Sequence, residues 1–155
     1  SVSPAACWAP FDAMAMHPIH PMLVHAPIAC WTMTPLCDAL ALMLGQTFFW
    51  QAGAFIAAFG AASGALAATA GAMDQPRAQT KAEKLALVHA GFMGSAWLLA
   101  TIGLLGRIDD AFLAVAPAPW WAIAAGILAF LVMVAGAWCG GEMVYGRGVG
   151  VRDRT

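Results

Sequence analysis

Charged side chains are scarce in this chain of 155 residues: they make up 10% of the sequence, whereas 62% of the residues are hydrophobic. Soluble domains have about a quarter of their residues charged, so this chain has too few to cover a surface that faces water. The scarcity also excludes a disordered chain and a nucleic-acid-binding domain, because both need many charged residues. We therefore predict one integral membrane domain over residues 1–155, embedded in a lipid bilayer.

Several chemical motifs are missing as well. The four cysteines, at positions 7, 30, 37 and 139, form no CxxC pair and no CxxCH motif. The sequence thus lacks the signatures of a thioredoxin-like redox site and of a covalently attached c-type haem. It also lacks a nucleophile–base pair, a phosphate loop and paired carboxylates at a usable spacing, so we do not expect a free-standing enzyme. The cysteines are expected to pack as small hydrophobic side chains.

Long apolar runs are what the sequence does have. A transmembrane helix needs about 20 mostly apolar residues, and four windows qualify. In lipid only helices and closed barrels satisfy every backbone polar group, and long windows without alternation favour helices. The sequence predicts an all-α, four-helix membrane bundle with spans at approximately 22–44, 49–72, 85–106 and 120–141.

The basic residues indicate the orientation of the bundle. Six of the seven lie either between the second and third spans or after the fourth, and only Arg107 lies on the other side. Lysine and arginine collect in cytoplasmic loops. We therefore predict that both termini and the second loop are cytoplasmic.

The four histidines are the most informative polar residues. His17, His20 and His25 lie at the entry to the first span, in the proline-rich run HPIHPMLVHAP, and His89 lies shortly inside the third. Because these two spans run parallel, His25 and His89 should reach a similar depth. Two imidazoles on facing helices of a bundle can bind one haem iron. We predict haem b held by His25 and His89, with His20 and His17 as reserve ligands.

Two alternatives remain open at this point. The four histidines together could bind a copper or zinc ion. They could also simply donate hydrogen bonds to neighbouring helices in a non-catalytic structural subunit of a membrane complex.

Small residues and one arginine add to the candidate cofactor site. Gly60, Gly64 and Ala68 repeat every four residues, a spacing that lets helices pack closely. The same ridge could instead receive a flat cofactor, which makes Gly64 a candidate cofactor contact. Arg147 lies after the fourth span, on the predicted cytoplasmic side, and is a candidate partner for haem propionates.

Two acidic residues within or beside the spans also need partners. Asp38 lies deep in the first span, where a charge should face the interior of the bundle. Gln51 and Arg107 are at similar depth and are the candidate partners, and a proton or quinone contact is the alternative role. Glu142, at the end of the fourth span, could accept the N–H of a ligating imidazole or simply anchor the helix at the membrane interface.

Two motifs carry a family resemblance. Residues 17–28, HPIHPMLVHAPI, and residues 140–151, GGEMVYGRGVGV, resemble the opening and closing motifs of the domain-of-unknown-function 2231 family of small bacterial membrane proteins. The resemblance implies a four-helix fold in the bacterial inner membrane and no settled activity. Relatives often accompany redox proteins. Two positions depart from the family pattern: Ala26, where an aromatic is commoner, and Gly146-Arg147, where many relatives have Arg-His.

The resulting hypothesis is a b-type cytochrome subunit that carries electrons. It would pass them between a membrane quinone or a partner redox subunit and another carrier, within a homo- or hetero-oligomer. Nucleic acid is not an expected partner.

Overall fold

The computed structural model describes residues 20–149 and every side chain among them except those of residues 74–81. Helices dominate this part of the chain, which holds no β-strand beyond one isolated bridge between Ile108 and Ala114. The helices are α1 (His20–Leu23), α2 (His25–Leu44), α3 (Thr47–Leu105) and α4 (Trp120–Gly141), and one turn of π-helix, Glu142–Gly146, follows α4.

Four helical segments are long and apolar enough to cross a bilayer, which confirms the predicted all-α membrane architecture. We call them spans 1 to 4: His20–Leu44, Thr47–Met73, Ala82–Leu105 and Trp120–Gly146. Their bounds lie within a few residues of the predicted windows. The predicted orientation of the termini stays a prediction.

The polar connection between spans 2 and 3 differs from expectation. Its breaker and charge content favours a loop, yet the backbone is helical throughout α3 and departs from helical angles at Ala82 (φ −150°, ψ 37°). Alanine, glutamine, lysine and arginine are abundant in this connection and are good helix formers. The chain therefore turns between two spans at a kink and not through an extended loop.

Helix ends explain the other boundaries. A turn at Val24 separates α1 from α2, and prolines at positions 21 and 27 flank it. At the far end of α2, Gly45 adopts the left-handed conformation (φ 66°) and donates its backbone N–H to Ala41. This glycine cap ends the helix without steric cost and lets α3 begin two residues later.

Small residues form the interior of the bundle and large apolar residues face outwards. Most of the buried apolar residues are alanines, whereas many leucines and phenylalanines and three tryptophans are among the exposed residues. Helices in lipid gain little from burying large apolar side chains and pack through small ones. The distribution is that of a bundle surrounded by hydrocarbon.

Candidate histidine site at one end of the bundle

Two histidine rings meet at one end of the bundle. The ring centroids of His20 and His89 are 6.4 Å apart, and the ring planes are nearly perpendicular at 85°. His20 is the first residue of span 1, and His89 lies two turns into span 3. Both rings are partly buried. The two spans therefore bring one imidazole each to the same depth.

Hydrogen bonds fix which ring nitrogen is available to a ligand. The Nδ1 of His20 lies 2.7 Å from the carbonyl oxygen of Ala67, and the Nδ1 of His89 lies 2.7 Å from that of Gly136. A carbonyl oxygen only accepts, so both Nδ1 atoms must donate. In the neutral ring the lone pair is then on Nε2, the tautomer seen in histidines that bind metals.

Glycines provide the surfaces on which the two rings lie. A Cβ added to Gly71 would lie 2.9 Å from Nδ1 of His20, and one added to Gly140 would lie 3.1 Å from Cε1 of His89. A larger residue at either position would push the ring away from its carbonyl. Sequence reasoning missed both glycines, although their positions near the ends of spans 2 and 4 match the depth of the histidines.

The two histidine environments repeat with the same spacing. Each ring donates to a carbonyl 47 residues further along the chain. Each also packs on a glycine 51 residues further along, since Gly71 follows His20 by 51 and Gly140 follows His89 by 51. Spans 1 and 2 therefore correspond to spans 3 and 4 at an offset of 69 residues. The histidine pair joins equivalent positions of the two halves.

The structure pairs His89 with His20 and not with His25, the predicted partner. His25 is exposed, and its Nδ1 is 3.5 Å from the carbonyl oxygen of Met22. Five residues on a helix correspond to a rotation of about 140° relative to the first residue, so His20 and His25 cannot share a face. His17, the other reserve ligand, lies outside the described residues.

Gly64 of span 2, a candidate cofactor contact, packs against two tryptophan side chains of the protein itself. A Cβ on Gly64 would lie 2.8 Å from Cδ1 of Trp97 and 2.9 Å from Cζ2 of Trp31. Trp97 also donates its indole N–H to the carbonyl of Ala61 at 2.9 Å. Two indole rings thus occupy the surface where sequence reasoning placed a cofactor.

Two further predicted site residues lie at the surface. Glu142 is exposed and packs against Gly146 within the π-helical turn, and Arg147 is exposed as well. Glu142 was a candidate acceptor for the N–H of a ligating imidazole. In the structure the backbone carbonyls of Ala67 and Gly136 accept the imidazole N–H groups, with each carbonyl oxygen 2.7 Å from its Nδ1.

A second polar cluster lies towards the other end of the bundle. Asp38 and Arg107 are each 2% exposed and form a buried ion pair between Oδ2 and Nη2. Burial lowers the pKa of Arg107, but a guanidinium stays protonated because its ordinary value is so high. Of the two predicted partners for Asp38, Arg107 is confirmed, whereas Gln51 is exposed. The pair again joins residues 69 apart.

The donor set at the histidine site is small. Residues 20–149, side chains of 74–81 aside, contain no group of three or more histidine, cysteine or acidic side chains arranged to hold a metal ion. A tetrahedral zinc or copper site would need further ligands. Two imidazoles could hold a haem iron, the group predicted from the sequence.

Comparison with known proteins identifies the family of the chain but does not identify an activity. No curated protein and no solved structure matches the chain. The family model described as "Predicted membrane protein (DUF2231)" matches residues 16–153, and the chain belongs to that family.

Proposed function

We propose that the chain binds one haem b between His20 and His89 and serves as an electron-transfer subunit of a bacterial inner membrane. The observation that carries the proposal is the perpendicular pair of imidazoles with centroids 6.4 Å apart, each fixed through Nδ1. Haem supplies a one-electron redox couple when it is bound, and histidine ligation is common in membrane cytochromes.

The separation of the rings suits a shared metal. Two metal–nitrogen bonds of about 2.0 Å each, together with the distance from each nitrogen to its ring centre, give a span close to the observed separation. The equal 47-residue spacing of the hydrogen bonds gives both rings the same support. His20 and His89 would then hold one iron from equivalent positions of the two halves.

The protein's own groups have distinct roles in this proposal. The carbonyls of Ala67 and Gly136 orient the rings and hold the Nδ1 protons, so that each Nε2 is presented as a donor. Gly71 and Gly140 let the rings lie close to the helix backbones. Arg147, at the same end of the bundle and exposed, remains the candidate partner for propionates. A quinone or a second redox subunit would exchange electrons at this end.

Haem content and optical spectra test the proposal directly. The protein is purified from cells supplied with haem precursors, and dithionite-reduced minus oxidised spectra and pyridine haemochromogen are recorded. We expect about one haem per chain. His89→Ala should abolish binding, His20→Ala should remove one axial ligand and change the spectrum, and His25→Ala should leave both content and spectrum unchanged.

Other outcomes would contradict the proposal. Absence of a haem spectrum with stoichiometric copper or zinc by metal analysis would favour a bare metal site completed by ligands such as His17. Absence of any cofactor, with loss of assembly in the histidine variants, would favour a structural subunit. If His25→Ala loses haem and His20→Ala retains it, then His25 and not His20 is the ligand, and the proposed pair is wrong.

A further inference from the structure

A small cavity lies beside the Asp38–Arg107 pair, far from the histidines. Its volume is about 10 Å³, and Trp31, Thr34, Gly103, Arg107 and Gly126 are among the residues that line it. All four spans or their ends contribute to the lining. Nothing in the proposed haem site uses these residues, so the inference below does not depend on haem binding.

Two hydrogen-bond donors of this lining have no partner among the described residues. They are Nε1 of Trp31 and Nε of Arg107, in residues that are 4% and 2% exposed. The other guanidinium nitrogens are engaged: Nη2 with Asp38 and Nη1 with the carbonyl of Gly103 at 3.4 Å. Buried N–H groups are nearly always paired with protein or ordered water.

Size and charge decide what can satisfy these donors. A cavity of about 10 Å³ is close to the minimum for one water molecule and far too small for a quinone ring. An anion is disfavoured because Asp38 already neutralises Arg107. The ligand must therefore be small, neutral and able to accept two hydrogen bonds.

We propose that the cavity binds one water molecule that joins Trp31 to Arg107. Its oxygen accepts from Nε1 of Trp31 and Nε of Arg107. One of its hydrogens is donated to the hydroxyl oxygen of Thr34, whose own proton goes to the carbonyl of Cys30 at 2.9 Å. A buried water typically makes about three such bonds. The water extends the ion pair into a polar network that links spans 1 and 3.

Trp97 offers a control within the same molecule. Its indole N–H is also inside the bundle but donates to the carbonyl of Ala61 and needs no water. Two indoles that pack on the same glycine, Gly64, thus differ in whether their N–H has a protein partner.

Nuclear magnetic resonance of the whole protein in nanodiscs tests the proposal. The tryptophans are labelled with ¹⁵N, and Trp31→Phe and Trp97→Phe assign the two indole signals. We expect a rotating-frame Overhauser cross-peak between water and the Trp31 indole N–H, with the sign of dipolar contact, and none at Trp97. A Trp31 signal without this cross-peak overturns the proposal.

A cavity-filling variant provides the second measurement. Ala100 lines the cavity, and Ala100→Val adds two methyl groups to it. We expect the water cross-peak of Trp31 to disappear while the Trp97 signal keeps its position, which shows that the bundle remains folded. A cross-peak that persists unchanged in this variant would place the water elsewhere and contradict the proposed site.

Discussion

Two hydrogen bonds from imidazole rings link the spans in pairs. His20 connects span 1 to span 2 and His89 connects span 3 to span 4, each at 2.7 Å. A helical carbonyl keeps a second lone pair after its own intrahelical bond, so it can accept from a neighbouring helix. Interhelical hydrogen bonds in membranes contribute only about 0.6–2 kcal/mol. Their main consequence here is the fixed orientation of the rings.

The Asp38–Arg107 pair is the residue-level contact with the largest expected effect on stability. Asp38→Asn would leave the Arg107 charge buried without its counter-ion, and breaking one partner of a buried pair costs about 3–5 kcal/mol. We expect a loss of this size in the free energy of unfolding, measured by SDS titration of the protein in mixed micelles.

A matched control and a double variant make this prediction specific. Asp110 is an exposed acid in the loop before span 4, and Asp110→Asn should change stability by no more than about 0.5 kcal/mol. Asp38→Leu combined with Arg107→Met removes both charges and should recover much of the loss. Equal stability of Asp38→Asn and Asp110→Asn would show that the pair contributes nothing.

At the scale of the helices, glycines of span 2 form one packing face. Gly53 faces Cys37 and Asp38, Gly60 faces Cys30 and Trp31, and Gly71 faces His20. Their spacings of seven and eleven residues keep them on one side of a helix. Span 1 can therefore approach the backbone of span 2 closely. The polar and aromatic side chains of span 1 pack against these glycines.

Substitution at this face should be costly, whereas substitution at an open glycine should not. A Cβ on Gly60 would lie 2.8 Å from Cβ of Cys30. We expect Gly60→Ala to lower the free energy of unfolding by about 1–3 kcal/mol, as overpacking does. The measurement is again SDS titration.

Gly94 in span 3 is the control. No atom lies within 4 Å of a Cβ added there. Gly94→Ala should be neutral or stabilise by about 0.4–1 kcal/mol, because alanine restricts the unfolded chain. If Gly60→Ala is as well tolerated as Gly94→Ala, the two spans do not pack at this distance.

The spans could be predicted from sequence, but the pairing of histidines could not. About 20 apolar residues between polar breaks specify a membrane helix almost regardless of neighbours. Which histidine faces His89 depends on helix phase, and His20 and His25 differ by about 140° around the helix. The similar depth of His25 and His89 in parallel spans was the basis for predicting that His25 is the partner of His89. Asp38 and Arg107 were predictable as a pair because lipid leaves a buried charge few other partners.

At the scale of the whole molecule, the two halves of the bundle are parallel repeats. His20 and His89 meet at one end, and Asp38 and Arg107, again 69 residues apart, meet towards the other. Both contacts join span 1 to span 3 or to Arg107, two residues after its end, so the two spans run parallel and in register. Repeats of this kind are related by an axis along the membrane normal. The repeat escapes sequence reasoning because few residue types are shared at equivalent positions.

The two polar clusters lie towards opposite ends of the bundle. Eighteen residues separate the histidine from the charged partner on each span, which corresponds to about 27 Å along a helix. That distance is close to the hydrocarbon thickness of about 30 Å. We therefore expect the histidine pair and the ion pair to lie towards opposite faces of the bilayer.

The basic residues predict which end of the bundle faces the cytoplasm. Three of the seven lysines and arginines lie at positions 77–84, where span 2 joins span 3 shortly before His89, and three more follow span 4 in the sequence. Positive loops remain in the cytoplasm. We expect green fluorescent protein fused after residue 155 to fluoresce in bacterial cells, and alkaline phosphatase fused after Asp110 to be active. Fluorescence lost in the first fusion, with phosphatase activity gained when the enzyme is fused there instead, would place the histidine pair at the periplasmic face. Under the proposed function, the electron donor or acceptor would then be reached from the periplasmic side.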